Sequence, residues 1–98
     1  MNKNKLISNR AKFDQKAIKL LFQTIPKLKN NQQSEIFLRD LMSSSEIKDL
    51  ARRLLAVQML YNKKTYSEVN FRSDMSMGTI NKMHFKTKGS KILHNFLS

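Results

Sequence analysis

A chain of 98 residues, of which 40% are hydrophobic, has room for one small domain with a modest core. Its 19 Lys and Arg residues outnumber 7 Asp and Glu, and the formal net charge of +12 favours a polyanionic partner. The absence of cysteine excludes disulfides and thiolate metal sites, and no run of about 18 apolar residues could span a membrane.

The first part of the chain is expected to hold a basic tail and two amphipathic helices. Residues 1–9 are polar and basic and lack the apolar segment of a secretion signal, which predicts a disordered tail in a cytoplasmic protein. Apolar residues at helical spacing predict a helix over about 10–24. This helix ends before Pro26, because proline disfavours helical geometry in the preceding residue. Asn30, followed three residues later by glutamine, can cap a second helix over about 31–42.

The longest helix is expected to begin at Ser43 and to end near Tyr61. Ser43 and Glu46 form a capping box, in which each side chain can bond to the backbone N–H of the other residue. More than half of the helix circumference is apolar, which predicts a central helix packed on several sides. Its apolar residues are Ile47, Leu50, Ala51, Leu54, Leu55, Ala56, Val57, Met59 and Leu60.

Residues 65–87 have the pattern of a helix-turn-helix, in which two short helices are joined by a tight turn. Thr65, with a glutamate three residues later, caps the first helix, which runs to about Arg72. Ser76 caps the second helix, which runs to about Lys86. The apolar residues expected to hold the two helices together are Val69, Met75, Ile80 and Met83.

The charge distinguishes a DNA-binding unit from two ordinary amphipathic helices. Residues 75–98 include no acidic residue, and a basic block beside a helix-turn-helix is the electrostatic footprint of nucleic acid. We therefore expect double-stranded DNA as the partner, with the second helix in the major groove. The residues expected to contact DNA are Thr65, Arg72, Ser76, Met77, Gly78, Thr79, Asn81, Lys82, Phe85, Lys86 and Lys88.

The last residues of the chain predict one further helix and no catalytic or metal-binding site. Gly89 is expected to end the second helix of the pair, and a short helix follows over 90–97. Neither His84 nor His94 has a carboxylate or cysteine at the spacing of a catalytic triad or a metal site. The sequence therefore predicts no enzyme, no cofactor and no metal, in a single all-helical domain over 10–98.

The predicted helices carry more apolar surface than a small, elongated chain could cover by itself. We expect the helices over 10–64, and the last helix within 89–98, to dock on a partner. A symmetric homodimer is the economical arrangement, because twofold dimers are the commonest oligomers and match palindromic DNA sites.

Several motifs between residues 37 and 88 stand in a recognisable order. They are Leu41, Glu46, Ala51-Arg52-Arg53-Leu54, Lys64-Thr65-Tyr66, Glu68-Val69 and Ser76-x-x-Thr79-Ile80-x-Lys82. In order and spacing they resemble the Trp repressor superfamily, above all its tryptophan-independent bacterial members. The resemblance implies an all-α helical bundle with a helix-turn-helix, in an intertwined homodimer. It further implies a transcriptional regulator, a repressor, associated with the bacterial nucleoid.

The chain departs from that family at the turn and at the effector site. Asp74 replaces the glycine of the turn, and aspartate tolerates left-handed geometry better than most residues. The resemblance places a candidate effector site at Arg53, Lys82, Met83 and Lys86. Met83 replaces a glycine and would fill the space of an indole ring, and Lys82 cannot stack as a guanidinium can. Tryptophan is therefore not expected as a corepressor, and the identity of any other effector is left open.

Two functions of different classes remain open. The first is sequence-specific DNA binding by a dimeric regulator. The second is a helical protein–protein adaptor, or a nonspecific nucleic-acid binder, that retains the fold. Phe71 and Phe85 stand where the family usually has charged residues, and an exposed aromatic side chain favours a protein partner or a stacked base over a phosphate.

Overall fold

The computed structural model describes residues 3–98, with side chains from Lys5 onward, and this part of the chain is helical without a strand. Its elements are α1 (Lys3–Thr24), a 3-10 turn (Ile25–Lys27), α2 (Asn31–Leu41), α3 (Ser44–Tyr61), α4 (Tyr66–Ser73), α5 (Met77–Thr87) and α6 (Lys91–Leu97). The predicted all-α class is confirmed, and every predicted helix is present.

Helix α1 begins earlier than the sequence pattern predicted. A disordered tail was expected over residues 1–9, whereas α1 is helical from Lys3; residues 1 and 2 lie outside the described part of the chain. Leu6 stands seven residues before Phe13 and continues the same apolar face, a signal that the basic composition of the tail obscured. Pro26 ends the helix as expected, and it lies in the first turn of the 3-10 segment.

The chain divides into two compact units, Met1–Leu41 and Met42–Ser98, and the single domain over 10–98 remains a prediction. The first unit contains α1, the 3-10 turn and α2, and none of its side chains at positions 5–41 is fully buried. Two amphipathic helices cannot enclose a hydrophobic core by themselves, so their large apolar side chains stay exposed. These include Leu6, Ile7, Phe13, Ile18, Leu20, Leu21, Phe22, Ile25, Ile36 and Leu41.

The second unit begins with the predicted capping box on α3. The Ser43 hydroxyl accepts from the Glu46 N–H at 3.1 Å, and the Glu46 carboxylate accepts from the Ser43 N–H at 2.9 Å. The hydrogen bond from the Ser43 backbone, and after it the one from the Ser43 side chain, lowers the pKa of Glu46. At the other end, Lys63 is left-handed with φ 66°, and the Lys64 N–H donates to the Met59 carbonyl at 3.0 Å. This pair of features closes α3 as a Schellman motif does.

The hydrophobic core of the second unit lies where α3 contacts α4 and α5. Its buried residues are Ala56, Met59, Leu60, Val69 and Ile80, with Tyr66, Met75 and Met83 partly buried against them. The predicted apolar contact between the two helices of the helix-turn-helix is therefore confirmed. The predicted central position of α3 agrees with its contacts to α4, α5 and α6, while Leu50, Leu54 and Leu55 stay about half exposed. The shorter helices of this unit bury only the C-terminal half of α3.

Candidate nucleic-acid interface

The turn between α4 and α5 is fixed by its own side chains. Asp74 adopts the left-handed backbone predicted for the residue that replaces the turn glycine, with φ 60° and ψ 18°. Asn70 reaches across the turn and donates from Nδ2 to the Met75 carbonyl oxygen at 2.6 Å. The Ser73 hydroxyl accepts from the Met75 N–H at 3.2 Å. These hydrogen bonds hold the two helices at one angle to each other.

Helix α5 presents a polar and basic face to solvent. The Ser76 hydroxyl caps the helix, accepting from the Thr79 N–H at 3.2 Å. Ile80 is fully buried, at 0% exposure, and so fixes the inner face of the helix. Successive helical residues are turned by about 100°, which places Lys82 and Phe85 on the side opposite Ile80. Gly78 lies on the same outer side, and a Cβ atom added there would meet nothing within 4 Å.

Every position expected to contact DNA is exposed and belongs to the second unit. These positions are Thr65, Arg72, Ser76, Met77, Gly78, Thr79, Asn81, Lys82, Phe85, Lys86 and Lys88. The Thr65 hydroxyl caps α4, accepting from the Glu68 N–H at 3.1 Å. The Glu68 carboxylate lies 4.0 Å from the Arg72 guanidinium. An exposed pair at that distance is weak, so Arg72 remains able to contact a phosphate.

Two tyrosine–histidine pairs, which the sequence pattern did not predict, join helices of the second unit. The Tyr66 hydroxyl and His84 Nδ1 are 2.5 Å apart and join α4 to α5 through a hydrogen bond. The Tyr61 hydroxyl donates to the Thr87 carbonyl oxygen at 2.6 Å, at the last residue of α5. The Tyr61 ring stacks on the His94 ring of α6, with the ring centroids 3.7 Å apart. Both histidines therefore have structural partners, which accounts for them without catalysis.

The C-terminal end of α5 differs from the prediction that Gly89 stops the helix. Helix α5 ends at Thr87, Lys88 caps it in right-handed geometry, and Gly89 has no positive φ. The Thr87 hydroxyl donates to the Met83 carbonyl oxygen at 2.7 Å, and His94 Nε2 donates to the Lys88 carbonyl oxygen at 2.8 Å. Side-chain hydrogen bonds thus take the place of a glycine cap.

The residues of the candidate effector site lie together. A cavity of about 230 Å³ is lined by Arg53, Lys82, Met83 and Lys86, and also by Thr79, which the sequence predicted only as a DNA contact. Met83 is partly buried and packs against the hydrophobic core, so its side chain forms a wall of the cavity. The lining combines three cations with one hydroxyl and one apolar side chain.

The described residues offer neither a metal centre nor a membrane span. No three His, Asp or Glu side chains within residues 3–98 are grouped so as to hold a metal ion. Over the same range, no helix combines the length and the hydropathy needed to cross a bilayer.

Comparison with known proteins places the sequence in one family. Residues 16–95 match the family model described as Trp repressor protein. The matched range includes parts of both compact units. No curated protein and no solved structure matches the chain significantly.

Proposed function

Because the chain belongs to the Trp repressor family, a family of helix-turn-helix DNA-binding regulators, we propose that it is a dimeric repressor of transcription that binds specific DNA sites. The observation that carries this proposal is the outer face of α5, where Asn81 and Lys82 are exposed on a helix whose inner face is fixed by buried Ile80. An asparagine amide can pair with the adenine edge, and a lysine can donate to guanine acceptors. Lys86 and Lys88 stand beside them to contact phosphates.

The alternative function, a protein–protein adaptor or a nonspecific nucleic-acid binder, is favoured by two exposed aromatic side chains. Phe71 on α4 is 88% exposed and Phe85 on α5 is 73% exposed. Aromatic residues are enriched where proteins bind one another, so they are the natural anchors of an adaptor. An adaptor would bind duplex DNA weakly or without regard to sequence.

Substitutions on α5 distinguish specific from nonspecific binding. Asn81→Ala and Lys82→Ala should each weaken binding to the best site, selected from random duplexes, by about 1–3 kcal/mol, because each removes a contact to a base edge. Binding to random DNA should fall much less. Titration of fluorescent duplexes with each variant measures both affinities at one fixed salt concentration.

Lys88→Ala is the matched control for that experiment. Lys88 is exposed at the C-terminal cap of α5, and a phosphate contact carries no sequence information. This substitution should therefore weaken specific and random binding by the same factor. If Asn81→Ala and Lys82→Ala do the same, α5 does not read sequence and the alternative function takes precedence.

The protein should be a homodimer, since its exposed apolar side chains need a partner. Leu50, Leu54 and Leu55 on α3 are about half exposed, and Phe13 and Phe22 on α1 are more exposed still. So many large apolar side chains on a small protein are typical of an association surface. Sedimentation equilibrium at micromolar concentration should give twice the chain mass of 11.5 kDa. A fully folded monomer under these conditions would contradict the dimer.

L-tryptophan should not act as a corepressor. Met83 forms a wall of the cavity where an indole would have to lie, and the flanking Lys82 offers no planar group to stack on the ring. Isothermal titration with L-tryptophan should show no saturable heat up to millimolar ligand. Saturation in the micromolar range would mean that the Met83 side chain moves aside.

A further inference from the structure

Helix α5 carries two large, exposed apolar side chains, Met77 and Phe85, among its cations. Met77, Asn81 and Phe85 follow one another at intervals of four residues and so lie along one side of the helix. Met77 is 46% exposed and Phe85 is more exposed still. Large apolar side chains on a DNA-facing surface cannot bind phosphates, so the proposed function leaves their role unassigned.

The surroundings of Phe85 favour a nucleic-acid partner over an apolar protein surface. The Lys88 ammonium lies 4.5 Å from the centroid of the Phe85 ring, and Lys82 and Lys86 flank it on the same helix. A protein that docked an apolar surface on this aromatic ring would have to desolvate these cations, whereas DNA phosphates would neutralise them. Phe85 is thus an apolar side chain surrounded by cations, and such surroundings favour a polyanionic partner.

The apolar group that duplex DNA offers in its major groove is the C5-methyl of thymine. Phe85 lies opposite buried Ile80 and beside Lys82, on the face of α5 that would enter the groove. We infer that Phe85 is a specificity-determining residue, which selects sites with a thymine at one position by packing against its methyl group. This inference rests on the proposed function, because it requires α5 to lie in the major groove.

The test removes the methyl group and nothing else. In the best site selected from random duplexes, each thymine is replaced singly by deoxyuridine, which pairs identically with adenine. At one thymine of the half-site the affinity should fall about fourfold, the effect of leaving one methyl-sized group unburied. Fluorescence titration of the substituted duplexes measures the ratio between the two affinities.

A matched pair of variants assigns that ratio to one side chain. Phe85→Ala should bind the thymine and deoxyuridine duplexes equally, because the contacting ring is gone. Phe71→Ala removes a still more exposed phenylalanine from α4, the helix that does not enter the groove, and should keep the full ratio. Circular dichroism should show both variants folded, since neither side chain is buried.

The outcomes separate this inference from the proposed function. Loss of the ratio in Phe85→Ala together with its retention in Phe71→Ala supports thymine selection by Phe85. Equal binding of all substituted duplexes by the unmodified protein, or an unchanged ratio in Phe85→Ala, overturns the inference while specific binding through Asn81 and Lys82 stands. Absence of any binding to duplex DNA overturns both.

Discussion

Raising the salt concentration should weaken binding to duplex DNA by several orders of magnitude. The chain has a formal net charge of +12, and the candidate phosphate contacts Arg72, Lys86 and Lys88 are all exposed. Each neutralised phosphate contributes about −0.9 to the slope of log affinity against log salt concentration. If a dimer makes six to ten such contacts, affinity should fall roughly 10³- to 10⁵-fold between about 50 and 200 mM salt. Fluorescence anisotropy titrations over a salt series measure this slope.

Two variants make the salt series informative about individual side chains. Lys88→Ala should reduce the magnitude of the slope by about 0.9 for each lost contact, or by about 1.8 for a dimer. Phe71→Ala, an exposed and uncharged change on the same unit, should leave the slope unaltered. A slope near zero for the unmodified protein would refute electrostatic binding to DNA, and with it the function proposed for the basic face of α5.

The local features of the fold could be predicted because each depends on residues that are close in sequence. Ser43 and Ser76 cap helices through backbone groups three residues away, so the motif itself contains both partners. The left-handed backbone of Asp74 was expected from the family resemblance, because Asp74 replaces a glycine of the family and aspartate tolerates this geometry. The buried positions Val69 and Ile80 followed from helical periodicity combined with the geometry of two short helices.

The contacts between helices of the second unit could not be predicted in the same way. The Tyr66–His84 hydrogen bond joins two helices, and the stack of Tyr61 on His94 brings α3 and α6 together. Such pairs depend on the angles and distances between helices, which a periodic pattern does not contain. A signal was nevertheless present, because both tyrosines stand at helix ends, where a polar aromatic side chain often bridges to another element.

The extent of the hydrophobic core could not be predicted from the sequence pattern either. Helix α3 is apolar on more than half of its circumference, which predicted packing on several sides, whereas its buried residues all lie from Ala56 onward. An apolar stripe indicates that one face of a helix is buried in the functional protein. It does not indicate whether the same chain or a partner chain buries that face. The exposed Leu50, Leu54 and Leu55 are therefore the positions at which the proposed dimer would change the environment most.

Ile80→Ala should destabilise the second unit by about 2–5 kcal/mol, the usual cost of truncating a fully buried large aliphatic side chain. Ile80 is 0% exposed and belongs to the core that joins α3, α4 and α5. Small domains have only about 5–15 kcal/mol of stability in total, so the midpoint of urea unfolding should shift strongly. Unfolding is followed by circular dichroism, with all variants at one protein concentration because a dimer's stability depends on it.

The control for this prediction lies on the opposite face of the same helix. Phe85→Ala removes a larger side chain, but one that is mostly exposed, and should change the free energy of unfolding by no more than about 0.5 kcal/mol. DNA binding by Ile80→Ala should fall in proportion to the unfolded fraction, whereas Phe85→Ala should lose thymine preference while staying folded. Equal destabilisation by the two substitutions would show that α5 does not pack through Ile80, and its outer face would then have to be assigned anew.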